Sequence, residues 1–586
     1  METRSGAVLR NARFGIIKTV ITYILQFVLR TVIIYTLGVE YVGLNGLFSN
    51  ILGCLSLAEL GFGTAIVVSM YKPVAENDEE TVKSLLRLYK KVYAIISVIV
   101  FVLGLAITPF LSFLIKTGVP ENTNIYVVYL LLLLNTCVSY FAANKRSLLF
   151  VYQRNDIENK IKTICTIVLY SLQIAVLLLF KDFYVYMSLL PIITMLEGVI
   201  ISLVAHKKFP FIKGKAEKIG AETKKEVLSN IKALSWHQLG GVLVLCTDNI
   251  IISSMLGGLN ELGIYSNYTM ITTCILAIIT ILTNSFQASI GNMLASEPVE
   301  TAYIKFRQIN FIFSFIVGFC TICLYVLAQE FIVIWLNSSD CLLANRTLLL
   351  ICISFFLGNS VITPNMYNIA LGLVRHNIWK PFIQGIINLA VSILLANYIG
   401  LSGVILGTIA SYILMPVWVE PFTLFKYYFK SGGKQYIYKT FYSYFAVIVS
   451  GFITYYTCSL LPSGNLGLLV LRFIVCGVIC LLTLLLLFAV MPEFKQCVAW
   501  GKEIIANMKS RKLNKAEVTA VPNVGKEPCD NFDVMEVENN DELATIEGTF
   551  DSVDDKNLNT QELSTSENFG ENFNAKNTKD DEGKGN

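Results

Sequence analysis

Four polar side chains recur every fourth residue inside the first long apolar stretch: Lys18, Thr22, Gln26 and Arg30. At 3.6 residues per turn they draw one slanted stripe along a helix. Cations on such a stripe can neutralise an anionic group, and an arginine can do so through two parallel hydrogen bonds. The second apolar stretch repeats the device with Asn45, Ser49, Gly53, Ser56, Glu59 and Gly63. Glu59 stands in the run LSLAELGFGTA of residues 55–65, where Gly61 and Gly63 offer close packing or a bend. Ionisable residues in apolar spans are rare and by default mark function. Glu59 reads either as a fixed counter-ion or as a group that couples to a cation. Counting along the helices puts it level with Thr22, about 12 Å from Arg30 along the axis. The spacing leaves open whether it pairs with Lys18, with Arg30 or with neither.

A third group lies further on. His237 and Asp248 are eleven residues apart and about 20° from a shared helix face, with Gly241 between them. Glu197 follows Pro191, a kink point, by six residues. Lys145 and Arg146 stand near one end of the fourth stretch, placed to meet an anionic group or to mark the interface. Glu330 and Arg472 fall near the opposite ends of their stretches and are expected to face water. The expected site therefore has Arg30, Lys18 and Lys145 as cavity cations. Thr22, Gln26, Asn45, Ser49 and His237 form its polar lining. Glu59, Asp248 and Glu197 act as counter-ions or couple a cation. No catalytic or metal-binding constellation is expected: the sequence holds no phosphate-binding glycine loop, no HExxH and no supported serine triad. The pair Cys320 and Cys323 sits inside an apolar span and reads as packing.

These residues need elements to hold them. The 586-residue chain is 54% hydrophobic and 15% charged, well below the quarter of charged residues usual in soluble proteins. Apolar stretches near or above the ~18 residues that cross a bilayer recur from residue 14 to residue 492. About fourteen such spans are predicted, all helical, because backbone in lipid must satisfy its own hydrogen bonds. Among them are 43–71, 232–256 and 437–461. The fold class is thus an all-α polytopic membrane protein. The first stretch is too long for a signal core and lacks a cleavage site.

The net charge of +4 hides a division: residues 516–586 carry 18 acids against 5 bases. This tail lacks an apolar period and is expected to be disordered. The other bases concentrate in loops 72–89, 150–159, 207–231, 292–306, 373–377 and 427–436. The alternate loops, 38–42, 117–123, 182, 257–260, 337–344 and 462–463, are short and free of bases. Positive-inside bias predicts both termini in the cytoplasm. It explains the basic charge without nucleic-acid binding. Residues 78–91 read as an amphipathic helix on the cytoplasmic surface.

Loop 207–231 divides the spans into two sixes, leaving two at the end. A shift of 220 residues aligns residues 37–51 with 257–271, bringing Gly43 onto Gly263. This suggests a duplication with a parallel repeat. The expected layout is a first six-helix lobe (1–206), a basic linker (207–231), a second lobe (232–426), two additional helices (427–492) and a cytoplasmic acidic tail (493–586).

Three blocks carry a family resemblance: residues 37–73, beginning LGVEYVGLNGLFSN; residues 247–268, TDNIIISSMLGGLNELGIYSNY; and residues 288–297, ASIGNMLASE. From about Arg10 to Lys430 the chain resembles the O-antigen and capsule flippases of the multidrug/oligosaccharidyl-lipid/polysaccharide exporter superfamily. The resemblance implies two bundles alternating access to a central cavity in a bacterial plasma membrane. It implies a lipid-linked oligosaccharide as substrate, turned from the inner to the outer leaflet. Membrane lipids, a polysaccharide polymerase and glycosyltransferases are the implied partners. Arg30 and Lys18 would meet the diphosphate. No cofactor is implied beyond coupling to Na+ or H+, for which Glu59 and Asp248 are candidates. A multidrug exporter and a lipid II flippase of the same superfamily remain alternatives, as does a membrane scaffold for glycosyltransferases.

Overall fold

The computed structural model describes residues 4–59, 61–121, 123–214, 220, 246–462, 464–500 and 502. Helices joined by short connections account for them, with no strand among the described residues. Eleven helical segments among these residues are long and apolar enough to cross a membrane. The chain is an all-α polytopic membrane protein. Three predicted spans are not among the eleven. Span 43–71 is interrupted, 232–256 lies largely outside the described residues, and 437–461 corresponds to the helix Gly433–Ser459.

The first half of the chain opens with α1 (Arg4–Thr36), which turns at Gly38 (φ 122°) into α2 (Val39–Leu55). The expected continuous helix over 43–71 does not form. α2 gives way to a tight turn at Ser56–Glu59, and α3 (Phe62–Ala75) starts anew. Two local causes act together. Ser56 Oγ donates to the Gly53 carbonyl at 2.6 Å, competing with the backbone ladder. Gly61 takes a left-handed conformation, φ 74°, which only glycine adopts freely. The stripe from Asn45 to Gly63 is therefore broken before Glu59.

Helix α4 (Glu79–Ile107) is capped by Asp78, whose carboxylate accepts from the Thr81 N–H at 3.0 Å. Residues 78–91 are thus not a separate surface helix but its cap and first turns. Next come α5 (Ile125–Ser139), a tight turn at Tyr140–Ala142, α6 (Ala143–Val151), α7 (Asn155–Leu179) and α8 (Phe183–Lys208). Pro191 stays inside α8.

The second half comprises α9 (246–255), α10 (Gly258–Ser296), α11 (Val299–Leu336), α12 (Asn345–Ser360) and α13 (Ile362–Ala370). It continues with α14 (Lys380–Ile399), α15 (Leu401–Leu414), α16 (Pro416–Leu424), α17 (Gly433–Ser459) and α18 (Leu466–Phe488). The breaks at Tyr140–Ala142 and Val361 are separated by the same 220 residues that align the halves in sequence.

The base-poor loops gather at one end. Tyr41 and Thr123 share a hydroxyl hydrogen bond of 3.1 Å. The Asn124 N–H donates to the Tyr184 hydroxyl at 2.6 Å, and the Leu343 N–H to the Tyr268 hydroxyl at 3.0 Å. Helices α17 and α18 pack on α11. Gly318 leaves room for Val447, and Phe311 meets Phe488 at 5.4 Å. Arg472 and Glu330, expected to face water, instead bind each other at 2.7 Å with side chains 16% and 8% exposed. Two opposite charges near one depth satisfy each other more cheaply by pairing than either does alone.

Candidate functional site

The two halves of the chain meet along α2 and α10. A Cβ on Gly43 would overlap the Leu259 carbonyl, and one on Gly263 the Val39 carbonyl. The two glycines that the 220-residue shift aligns are the residues that let the backbones touch. Around this contact the base-poor end is stitched across the halves. The Lys116 N–H donates to the Ser253 carbonyl at 3.0 Å, and Thr117 Oγ1 to the Gly257 carbonyl at 3.2 Å. Trp335 Nε1 donates to Thr31 Oγ1 at 2.8 Å, while its ring stacks on Phe27 at 4.3 Å.

Arg30 belongs to this junction. Its Nη1 donates to the Ser266 carbonyl at 2.6 Å, to Ser266 Oγ at 3.2 Å and to Asn267 Oδ1 at 3.1 Å. The guanidinium thus bridges α1 to α10. Ser266 and Asn267 were not singled out in sequence; their only signal is two adjacent polar residues in the block that matches the hairpin of the first half. Thr22, Gln26 and Asn45 are half-buried, and Ser49 is exposed. His237 lies outside the described residues.

Lys18 has different company. It lies among Lys162, Glu158, Glu197 and Arg146, and Arg146 binds Glu197 at 2.9 Å. Helices α1, α6, α7 and α8 thus bring three bases and two acids together toward the basic end. Glu158 and Lys162 were missed as site residues because they fall where α7 begins, where charge reads as interface. Their spacing of four, one helical turn, was the available signal. Lys145, next to Arg146, points elsewhere: it lines a pocket with Lys83, Arg87 and Lys90.

Glu59 pairs with neither Lys18 nor Arg30. It accepts a hydrogen bond from the Tyr93 hydroxyl. Tyr93 stacks on Tyr89 at 4.4 Å and meets Tyr140 edge-on at 5.7 Å. A Cβ on Gly63 would collide with the Tyr93 hydroxyl, so the glycine makes room for this arrangement. The break in the second span is what carries Glu59 to α4.

Asp248 is held differently again. Asn388 Nδ2 donates to Thr408 Oγ1 at 2.9 Å, and Thr408 Oγ1 donates to Asp248 Oδ2 at 2.9 Å. Asn388 is fully buried. Asp248 Oδ1 and Asn388 Oδ1 are buried with no hydrogen-bond partner. Buried polar atoms are nearly always satisfied, and these two oxygens stand on one chain of hydrogen bonds. Gly403 and Gly407 allow the approach of α14 to α15 that joins Asn388 to Thr408: a Cβ on either would strike the neighbouring helix. Uncharged Asn388 and Thr408 gave little signal in sequence beyond being polar at mid-span.

The polysaccharide biosynthesis protein family matches residues 8–286. No curated protein matches the chain. Among solved structures, the lipid II flippase MurJ in an inward closed conformation superposes with a TM-score of 0.60 at 14% identity, covering 81% of this chain and 98% of that one. A mutant of the Vibrio cholerae MATE transporter VcmN gives 0.52 at 14% identity, over 73% of this chain and 98% of its own. At such identities the likeness is one of fold. Residues 8–286 are thus similar to the polysaccharide biosynthesis protein family, and the chain has the fold of the MurJ flippase and the VcmN transporter.

Proposed function

We propose that the chain is an alternating-access flippase that moves isoprenoid-diphosphate-linked oligosaccharide from the inner to the outer leaflet for polysaccharide export. In this reading residues 1–206 and 232–426 are two lobes, and the basic loops and both termini face the cytoplasm. The observation that carries it is the distribution of contacts. The halves are joined at the base-poor end by Gly43, Gly263 and Arg30, while Lys18, Arg146 and Lys162 gather toward the basic end. A transporter closed outside and cationic inside is suited to receive a diphosphate from the cytoplasm. An apolar pocket of about 510 Å3, lined by Leu357, Trp418, Phe422, Tyr436 and Phe441, lies where α12, α16 and α17 meet. It suits the isoprenoid tail.

Asp248, Asn388 and Thr408 fit a monovalent cation. Their oxygens are the hard donors such ions prefer, and two of them are orphaned. A bound cation would supply positive charge to a buried carboxylate. Na+ should then raise the thermal stability of the wild-type protein relative to choline, by about 2.7 kcal/mol at 100 times its Kd. Asp248→Asn should show no such difference.

The test of the main reading uses proteoliposomes holding a fluorescent oligosaccharide on an isoprenoid diphosphate. Wild type should expose the label to an external quencher, and the double variant Lys18→Ala, Lys162→Ala should do so at least ten times more slowly. Equal rates would remove the cation cluster from the mechanism. No flipping by either protein, with drug efflux intact, would favour an exporter of organic cations, for which Asp248 beside Tyr265 and Tyr412 offers an acidic, aromatic setting.

A further inference from the structure

Lys83, Arg87 and Lys90 stand on one face of α4, at spacings of four and three residues. Across from them are Asn144 and Lys145 at the start of α6 and His206 near the end of α8. Together these six residues line a pocket of about 330 Å3 with no acidic side chain among the described residues of its wall. Glu80 holds Lys83 at 3.1 Å. Lys90 and Lys145 are electrostatic neighbours, and two like charges kept close are relieved by an anion between them.

The pocket does not end there. A second one, of about 250 Å3, shares Lys90 and Asn144 and continues between α4 and α5. Its other walls are Tyr93, Ala94, Ser97, Cys137, Tyr140 and Phe141. Lys90 and Ser97 are seven residues apart, so the groove runs about 10 Å along the helix axis. Polarity changes along it, from ammonium groups and an amide at the mouth to aromatic and small side chains within. Its flank faces lipid: Phe141 is 73% exposed, and Ile95 and Val98 project from the adjoining face of α4 at 61% and 62%. An occupant can enter sideways from the bilayer.

We propose that this groove binds an anionic membrane phospholipid, with the phosphate held between Lys90 and Lys145 and one acyl chain lying along Ser97 and Phe141. The charge, the depth and the lateral opening all match such a molecule. The site is distinct from the Lys18 cluster, which α6 reaches with Arg146 from its other face. It also touches the break in the second span, because Tyr93 in the groove wall is the residue that holds Glu59.

Native mass spectrometry of the full chain in detergent tests this, with phosphatidylglycerol and phosphatidylcholine of matched acyl chains as probes. Wild type should retain one phosphatidylglycerol under conditions that strip phosphatidylcholine. The double variant Lys90→Glu, Lys145→Glu should bind it at least tenfold more weakly. Ser97→Trp, which keeps every cation and fills the groove, should lose it too, and serves if the charge reversal does not fold. Equal retention of both lipids by wild type, or unchanged binding in both variants, overturns the proposal. Displacement by inorganic phosphate at matched concentration would reduce the site to a free-anion pocket and overturn the lipid assignment. Displacement by farnesyl diphosphate at a tenth of the phosphatidylglycerol concentration would overturn it in favour of the transported substrate.

Discussion

Gly263→Val should open the base-poor end of the protein. The Cβ of any residue at 263 would overlap the Val39 carbonyl, and Gly43 presses on the Leu259 carbonyl from the other side. Both obstacles are backbone atoms in or beside helices, so neither can swing away as a side chain would. Relief requires α2 and α10 to separate. Overpacking of this kind costs about 1–3 kcal/mol. A value near 2 kcal/mol lowers the ratio of closed to open by about thirtyfold. A native probe reads the change: Cys341 is 8% exposed and sits by Glu40 of the opposite half. Its labelling by a membrane-impermeant maleimide scales with the open population, so the rate should rise about thirtyfold while that state stays minor. Gly46→Val is the control, because a Cβ there meets nothing within 4 Å. Labelling of Cys341 no faster in Gly263→Val than in wild type, with both proteins monodisperse, would refute the reasoning. So would an equal rise in Gly46→Val. If the valine variant does not accumulate, Gly263→Ala introduces the same Cβ with less bulk and should act in the same direction.

Tyr93→Phe removes the donor to Glu59 and should lower stability by about 1 kcal/mol, the net worth of a hydrogen bond to a half-buried acceptor. Glu59→Gln keeps an acceptor and should be milder; retained transport in that variant would exclude a coupling role for Glu59. Glu493 lies beyond the last span, with its side chain 2% exposed beside Arg307 and Lys439. Burial pushes its carboxyl up, but hydrogen bonds from Lys439 and Arg307 outweigh this and hold it below the usual carboxylate range. A depressed folded pKa contributes stability above the unfolded value of about 4.3 and loses it as pH falls through the folded one. Glu493→Gln should therefore lower the unfolding temperature at pH 7, and the gap to wild type should close below about pH 4. A gap that persists unchanged in acid would contradict the ion-pair reading.

The helices were legible in the sequence because lipid leaves the backbone few choices, and the alternation of basic and base-free loops foretold which ends lie together. The candidate site could be read from the sequence only as charged residues in apolar spans. Lys18, Arg30, Glu197 and Asp248 stand out in apolar spans, and each proves to have specific neighbours. Those neighbours were harder to see. Ser266, Asn267, Asn388 and Thr408 are uncharged, and such residues occur throughout membrane helices as ordinary packing. Counting residues along an axis estimates depth but not direction around it. Level with Thr22 by count, Glu59 was free to face α1 or α4, and the turn at Ser56–Gly61 decides for α4. Direction also separates Lys145 from Arg146. Adjacent in sequence, they leave α6 on different sides, so Arg146 joins the Lys18 cluster and Lys145 lines the groove.

The two fastenings at the base-poor end differ in kind, and under the proposed transport function the difference matters. The Gly43 and Gly263 contact is steric and offers a ligand nothing to replace. The Arg30 contact is a set of hydrogen bonds to neutral acceptors, Ser266 and Asn267. A guanidinium binds a phosphate more strongly than it binds neutral oxygens. A diphosphate that climbs the α1 stripe from Lys18 would compete for Arg30 and free α10 at the moment the substrate has left the basic end. A ligand shifts an equilibrium only by its differential affinity for the two states, and Arg30 supplies such a difference: its donors are spent in the closed state and available in the open one. Arg30 would then report the arrival of the substrate to the junction, while the glycines set how tightly that junction recloses.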